Sequence, residues 1–426
     1  MLSLDITGTL AKVITPSLGI PEQEFATISN TMKHYTEDFL KEREAGRHEW
    51  AMSPYDQDVI TAVETFVKTV QSEKIQTILW IGIGGSGLGP RVIKEVFETP
   101  DTPELIIIDT IDPAVLTEEL KLVDWERTLI VVASKSGGTL EPMSAFFLLS
   151  NEMKKAIGEK TASRIVCITD PKEGLLREIA DREGYAGLPI KSGIGGRFSI
   201  FTPIGLLALG LLGCDVSAFV RGAKEMDTVC QNLALKENPA SQLAAVQFLL
   251  DTKRNYLIRV VMPYATRLQS LGRWEQQLLA ESLGKTEAYG PSPVAGIGTQ
   301  DQHSMLQQWI QGKRVSWHLF IREEEKERLS LPEVTDEPLS YLSGKGLGQI
   351  LDALYEGTAQ SLTAAKRPHA TITLQRLDEY HLGQLFFLFM VEVVLLGKLY
   401  RVDPYGQPGV ELGKKISKDI LSRGVN

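Results

Sequence analysis

Apolar positions change their spacing along the chain, and the changes divide it. Through residues 1–72 they recur every three or four positions between charges, as in HYTEDFLKEREAG and YDQDVITAVETFVKTVQSE. That spacing predicts helices with one buried face. From residue 77 it gives way to short runs of Ile, Val and Leu: TILWIGI (77–83), ELIIID (104–109), TLIVVAS (128–134) and RIVCITD (164–170). Runs this short predict strands covered on both faces, as in a parallel sheet. Helical segments such as PRVIKEVFE (90–98) and LEPMSAFFLLSNEMKKA (140–156) alternate with them. Residues 73–200 therefore read as a doubly wound α/β domain.

A helical bridge over 201–253 leads to a second set. NYLIRVVMPYA (255–265), VSWHLFI (315–321) and ATITLQ (370–375) are strand-like, with helical TRLQSLGRWEQQLLAESLG and GQILDALYEGTAQSLTAAK among them. Residues 254–390 read as a second α/β domain, and 391–426 as a C-terminal helical arm. The charged, Pro-punctuated stretch 322–346 predicts a surface excursion. LGQLFFLFMVEVVLLGKLY (382–400) is apolar nearly all round, yet it holds Glu392 and is followed by a polar tail. It reads as a buried or interface helix and not as a membrane span. Two α/β halves of similar size suggest a duplicated architecture.

Composition narrows the partners. The chain of 426 residues is 43% apolar and 23% charged, which excludes a mainly disordered protein. It carries 45 Lys and Arg against 54 Asp and Glu, a net charge of −9. A nucleic-acid binder leans the other way, so an anionic ligand would need positive charge gathered in one cleft. MLSLDITGTLAK has no basic region followed by an apolar run, so no secretory signal is expected. Cys167, Cys214 and Cys230 lack metal-ligand spacing and read as reduced core thiols of a cytoplasmic protein.

Two loops carry candidate chemistry. WIGIGGSGLGP (80–90) follows the first strand and opens a helix; Gly82, Gly84 and Gly87 fit G-x-G-x-x-G, and Asp109 ends the next strand. These are the parts of a dinucleotide fingerprint. The same glycines and helix N-terminus also suit a sugar or another phosphate, or form a tight turn with no ligand. The third strand ends in ASKSGGTLEP, which places Ser134, Lys135, Ser136 and Thr139 before a helix. Helix capping accounts for one of these hydroxyls. Three hydroxyls, an ammonium and backbone amides suit a phosphate monoester, which favours a phosphorylated small molecule.

Three later motifs, taken with these loops, resemble glucose-6-phosphate isomerase. They are GIGGRFSIFTPIGLLAL (193–209), LLAESLGK (278–285) with GTQDQHSMLQQWIQGK (298–313), and YGQPGVELGKK (405–415). The match is to the family's shorter bacterial form, with one departure: Gly406 stands where the family carries an acid. The resemblance implies an α/β fold of two sugar-isomerase (SIS) sandwich domains with mainly parallel sheets, plus N-terminal and C-terminal helices. It also implies aldose–ketose isomerisation of glucose 6-phosphate and fructose 6-phosphate through an enediolate, with no cofactor and no metal.

Such chemistry needs a carboxylate above C2 and C1, a cation near the developing oxyanion, and a grip on the remote phosphate. The resemblance assigns Glu281 as base and Arg197 as the cation. It assigns ring opening to His303, oriented by Glu141, with Lys414 and Gln407 contacting the sugar. Gly85 and Ser86 would line its sugar side, and Ser134, Lys135, Ser136 and Thr139 its phosphate. It further implies a homodimer in which His303 of the partner subunit completes each site. Two other readings remain: an NAD-type dehydrogenase, from the glycine loop and Asp109, and a non-catalytic sugar-phosphate sensor. The sensor has no need of Glu281, Arg197 and His303 together.

Overall fold

Two five-stranded sheets form where the apolar runs fall. The computed structural model describes residues 1–423. The chain opens with β1 (Ser3–Asp5), α1 (Glu22–Glu44) and α2 (Gln57–Gln71). The first sandwich follows as β2 (Thr77–Ile81), α3 (Gly85–Phe97), β3 (Glu104–Ile108), α4 (Pro113–Leu120), β4 (Thr128–Ala133), α5 (Leu140–Ile157), β5 (Ile165–Thr169), α6 (Leu175–Glu183) and β6 (Ala186–Pro189). Three helices come next: α7 (Pro203–Leu211), α8 (Val216–Cys230) and α9 (Pro239–Arg254). The second sandwich holds β7 (Ile258–Pro263), α10 (Gln269–Leu283), β8 (Ser292–Ala295), α11 (Gln300–Gln311), β9 (Ser316–Glu323), α12 (Leu347–Ala364) and β10 (His369–Leu374). The described chain ends with α13 (Glu379–Tyr400) and α14 (Glu411–Ser422).

The first sheet has the order β3-β2-β4-β5-β6 and is parallel throughout. Every residue of β2, β4 and β5 is buried, the reason these strands read as continuous apolar runs. The second sheet has the order β8-β7-β9-β10-β1. In both sheets the first strand of the α/β unit lies between its second and third, so the suggested duplication has a matching strand order. Both units are α/β sandwiches with mainly parallel sheets.

The structure departs from the sequence pattern where tertiary pairing, not local spacing, makes the strand. The spacing predicts helix for the N-terminal segment, yet Ser3–Asp5 pairs antiparallel with β10 and closes the second sheet. β6 (AGLP) and β8 (SPVA) are edge strands with Gly or Pro and exposed positions, so no apolar run marks them. The expected limit at 390/391 falls inside α13, one continuous helix.

α13 is long and apolar enough to cross a membrane, but 94% of its apolar window is buried inside the protein. It is the central core helix, packed on α8, α9 and α10. Its Glu392 meets Arg259 of β7, and Arg259 also lies 3.0 Å from Glu275 of α10. All three are buried. Desolvation, with Glu392 nearby, pushes Glu275 up to about 7 against the pull of Arg259. One guanidinium thus ties α10 and α13 to the second sheet; breaking such a group leaves an uncompensated buried charge.

Three histidines are held in the neutral form. His318 stacks near Trp309 and Phe320, neither ring nitrogen has a hydrogen-bond partner, and burial pushes it down to about 3. His48 and His369 are pushed down to about 4, chiefly by burial. Below its ordinary value of 6.5 the unfolded chain takes up a proton that folded His318 refuses. Stability must therefore fall as pH drops from about 6.5 towards 3, by about 1.4 kcal/mol per unit for this one group. His318→Phe should flatten the urea-unfolding free energy between about pH 6 and 5 by that amount. An unchanged slope in the variant would show that His318 is not held neutral.

Candidate active site

A cleft of about 890 Å³ opens at the carboxyl ends of β2, β4 and β5, beside the point where the strand order of the first sheet reverses. Arg197 reaches it from the loop before α7, Glu281 from the last turn of α10, and Gln407 and Lys414 from the C-terminal segment. Every expected site residue lines this cleft except Glu141 and His303. Glu141 sits in the first turn of α5, just behind Thr139. His303 is exposed on α11.

Arg197 is the hub. Only 5% of it is exposed, and all five of its N–H donors are used. Nε donates to Ser282 Oγ at 2.8 Å, and Nη1 donates to Glu281 Oε2 and Gln407 Oε1, both at 3.0 Å. Nη2 donates to the carbonyls of Pro404 and Gly406. Burial lowers its pKa from the ordinary value, and the Glu281 carboxylate pulls the other way. Gly406, the residue that departs from the family pattern, has φ +69°, a left-handed turn that glycine adopts freely. Its carbonyl accepts from Arg197, which closes the loop on the guanidinium.

Glu281 is fixed from two sides. Its second oxygen, Oε1, accepts from Gln277 Nε2 at 2.8 Å, one helical turn earlier on α10. Gln277 was not anticipated, although its i, i+4 spacing to Glu281 was legible in EQQLLAES. Lys285 was also missed as a site element: its ammonium donates to the carbonyls of Asp403 and Tyr405, pinning the loop that delivers Gln407. Nothing in the sequence marks that role, because backbone acceptors carry no side-chain signal.

The hydroxyl cage has internal order. Ser134 is buried and accepts from Gly137 N at 3.2 Å, so it shapes the turn. Ser136 accepts from Gly138 N, also at 3.2 Å. Thr139 occupies the N-cap position of α5 yet makes no capping bond, which leaves its hydroxyl for a ligand. Charge in the cleft is balanced and not concentrated as the net −9 required of an anion site: Lys135, Arg197 and Lys414 face Glu281, Asp170 and Glu173. The capacity for an anion then comes from hydroxyls and from the N-termini of α3 and α5, whose first residues or caps line the cleft. Asp109, which a dinucleotide reading would place on a ribose, is held by Arg91 at 2.7 Å.

Two mainly parallel sandwiches, with a carboxylate–guanidinium pair and a hydroxyl cage at the switch point of one, place the chain among α/β proteins of duplicated sandwich architecture. A family model described as phosphoglucose isomerase matches residues 51–425. The glucose-6-phosphate isomerase of Rubrobacter xylanophilus is 36% identical over 383 residues, covering 87% of this chain and 88% of that protein. A hypothetical protein from Thermus thermophilus superposes with a TM-score of 0.91 at 30% identity, over 99% of this chain and 100% of the other. A glucose-6-phosphate isomerase from Chlamydia trachomatis superposes with a TM-score of 0.77 at 25% identity, over 86% and 73%. The chain belongs to the phosphoglucose isomerase family.

Thr139→Ala separates the cage from the cap. No capping bond is lost, so stability should fall by less than about 0.5 kcal/mol. The dissociation constant for inorganic phosphate should rise about tenfold, the scale of one hydrogen bond to a charged ligand. Calorimetric titration that finds unchanged phosphate affinity would remove Thr139 from the site.

Proposed function

We propose that this protein interconverts glucose 6-phosphate and fructose 6-phosphate, with Glu281 as the base. The observation that carries the reading is the Glu281 carboxylate held 3.0 Å from buried Arg197 in a cleft that also holds the SKSGGT hydroxyls. In the open-chain aldose, Glu281 takes the proton from C2 as the carbonyl at C1 becomes an enediolate oxygen. Arg197 lies beside that carboxylate and stabilises the oxyanion, a role suited to a fixed guanidinium in a dry site. Glu281 then returns a proton to C1 and the hydroxyl proton passes from O2 to O1, so the ketose forms with no net change in atoms. Lys414 and Gln407 assist ring opening from the C-terminal side of the cleft. The dehydrogenase reading loses its ribose ligand, since Asp109 is already paired.

His303 joins the site, on this reading, as His303 of the partner subunit. Its exposure supports this, as does an apolar groove of about 560 Å³ along α4 and α5 lined by Ile111, Leu116 and Leu148. Phe147 is 51% exposed on the same helix, which begins beside Glu141. A second copy covering this face would bury the groove and Phe147. The unpaired Cys167, Cys214 and Cys230 support a reducing cytoplasmic setting. There the reaction serves both glycolysis and gluconeogenesis.

Glu281→Gln should lower kcat by at least ~100-fold while leaving phosphate affinity within a few-fold of wild type. Turnover close to wild type would transfer the role of base to another carboxylate. The shared site has its own test, which is to refold Glu281→Gln and His303→Ala chains together. Each mixed dimer then contains one doubly damaged site and one intact site, and random pairing returns about a quarter of wild-type activity. With both residues from one chain every site keeps a lesion, and no activity returns.

A further inference from the structure

Lys135 sits in the hydroxyl cage, where the sequence suggests an ammonium for the phosphate. Its ammonium is already occupied. Nζ donates to the carbonyl of Ser192 and, at 3.2 Å, to that of Ile194. Two of its three N–H donors are thus spent on the loop that runs into Arg197. That loop reads K-S-G-I-G-G-R, with Gly193, Gly195 and Gly196 in the four positions before the arginine. Such a chain has little rigidity of its own, since glycine loses more freedom on ordering than any other residue. Within it the Ile194 amide turns back to Lys191 O at 3.1 Å. From outside it is held by Lys191 on Asp56 at 2.7 Å and by Lys135. The glycine loop abuts it as well: a Cβ on Gly85 would meet the Gly196 carbonyl at 2.1 Å.

We propose that Lys135 is a positioning residue, a strap from the phosphate cage that fixes the loop delivering Arg197. This rests on the reading of Arg197 as the cation of the enediolate step. The strap joins two parts of the site that the sequence separates by about 60 positions. It also spends two of the lysine's three donors before any ligand arrives. The binding of the phosphate is left to Thr139 and the helix N-termini, and the lysine acts on turnover through the geometry of Arg197.

Lys135→Met removes the donors at nearly constant length, and Lys135→Arg keeps donors for the two carbonyls. The expected result for Lys135→Met is faster amide hydrogen exchange over residues 192–197 and a kcat about 10- to 100-fold lower. The dissociation constant for inorganic phosphate should stay within about threefold of wild type, and Lys135→Arg should recover most of the loss. In an Arg197→Ala background Lys135→Met should change kcat by less than about twofold, because its effect passes through the missing side chain. Unchanged exchange over 192–197 would overturn the strap, whatever the activity. Faster exchange with full turnover would overturn the coupling to Arg197. A rise of tenfold or more in the phosphate constant with turnover retained would make Lys135 a direct phosphate ligand.

Discussion

A buried guanidinium organises this protein. Arg197 is held almost out of water, where a cation is tolerated only if every donor finds an acceptor. Its five acceptors come from two places distant in sequence: the end of α10 (Glu281 and Ser282) and the loop at 404–407. Satisfying one side chain therefore assembles the site from the first sandwich, the second sandwich and the C-terminal segment. Around the cleft three cations use backbone carbonyls in the same way, Lys135 on 192–194, Arg197 on 404–406 and Lys285 on 403–405. Loops rich in glycine gain fixed geometry through them.

The duplicated strand order raises the question of why the cleft lies over only one sheet. In the first sheet β4 ends in Ala133 and continues into the hydroxyls and glycines of SKSGGT. At the corresponding place β9 ends in Glu323 and runs on through Glu324 and Glu325. Three carboxylates at a strand end repel an anion that a hydroxyl and helix N-termini would accept. Arg267 faces Glu323 at 3.6 Å. The second sandwich instead supplies α10, anchored in the core by the Arg259–Glu275–Glu392 group, and with it Gln277 and Glu281. One copy of the fold holds the hydroxyl cage and the other presents the carboxylate.

What the sequence made legible follows from where the information lies. β2, β4 and β5 are buried on both faces, so their character is written in consecutive apolar residues. β1, β6 and β8 are strands because of their neighbours, and runs of three or four residues, broken by Pro or Gly in β6 and β8, carry no such signature. The limit drawn at 390/391 failed for a related reason: α13 is one helix because both its halves are buried, although Glu392 interrupts its apolar run. Motif residues were legible in the site because their side chains line the cleft or meet each other. Lys285, and the acceptors of Lys135, were not, since what they bind is backbone. Glu141 and His303 were named on the resemblance, and a single chain does not bring them into the cleft.

On the proposed mechanism one carboxylate carries a proton between adjacent carbons beside a buried guanidinium. Turning over glucose 6-phosphate in deuterium oxide, with a chelator and no nucleotide, tests it most directly. The product fructose 6-phosphate is then read by NMR at C1. A proton held on Glu281 between the two carbons exchanges with solvent in a fraction of turnovers, so the account predicts solvent deuterium at C1 in the first product formed. Product that forms with no solvent deuterium at C1, however many turnovers are followed, would show no exchangeable proton between the two carbons. That result would contradict the account.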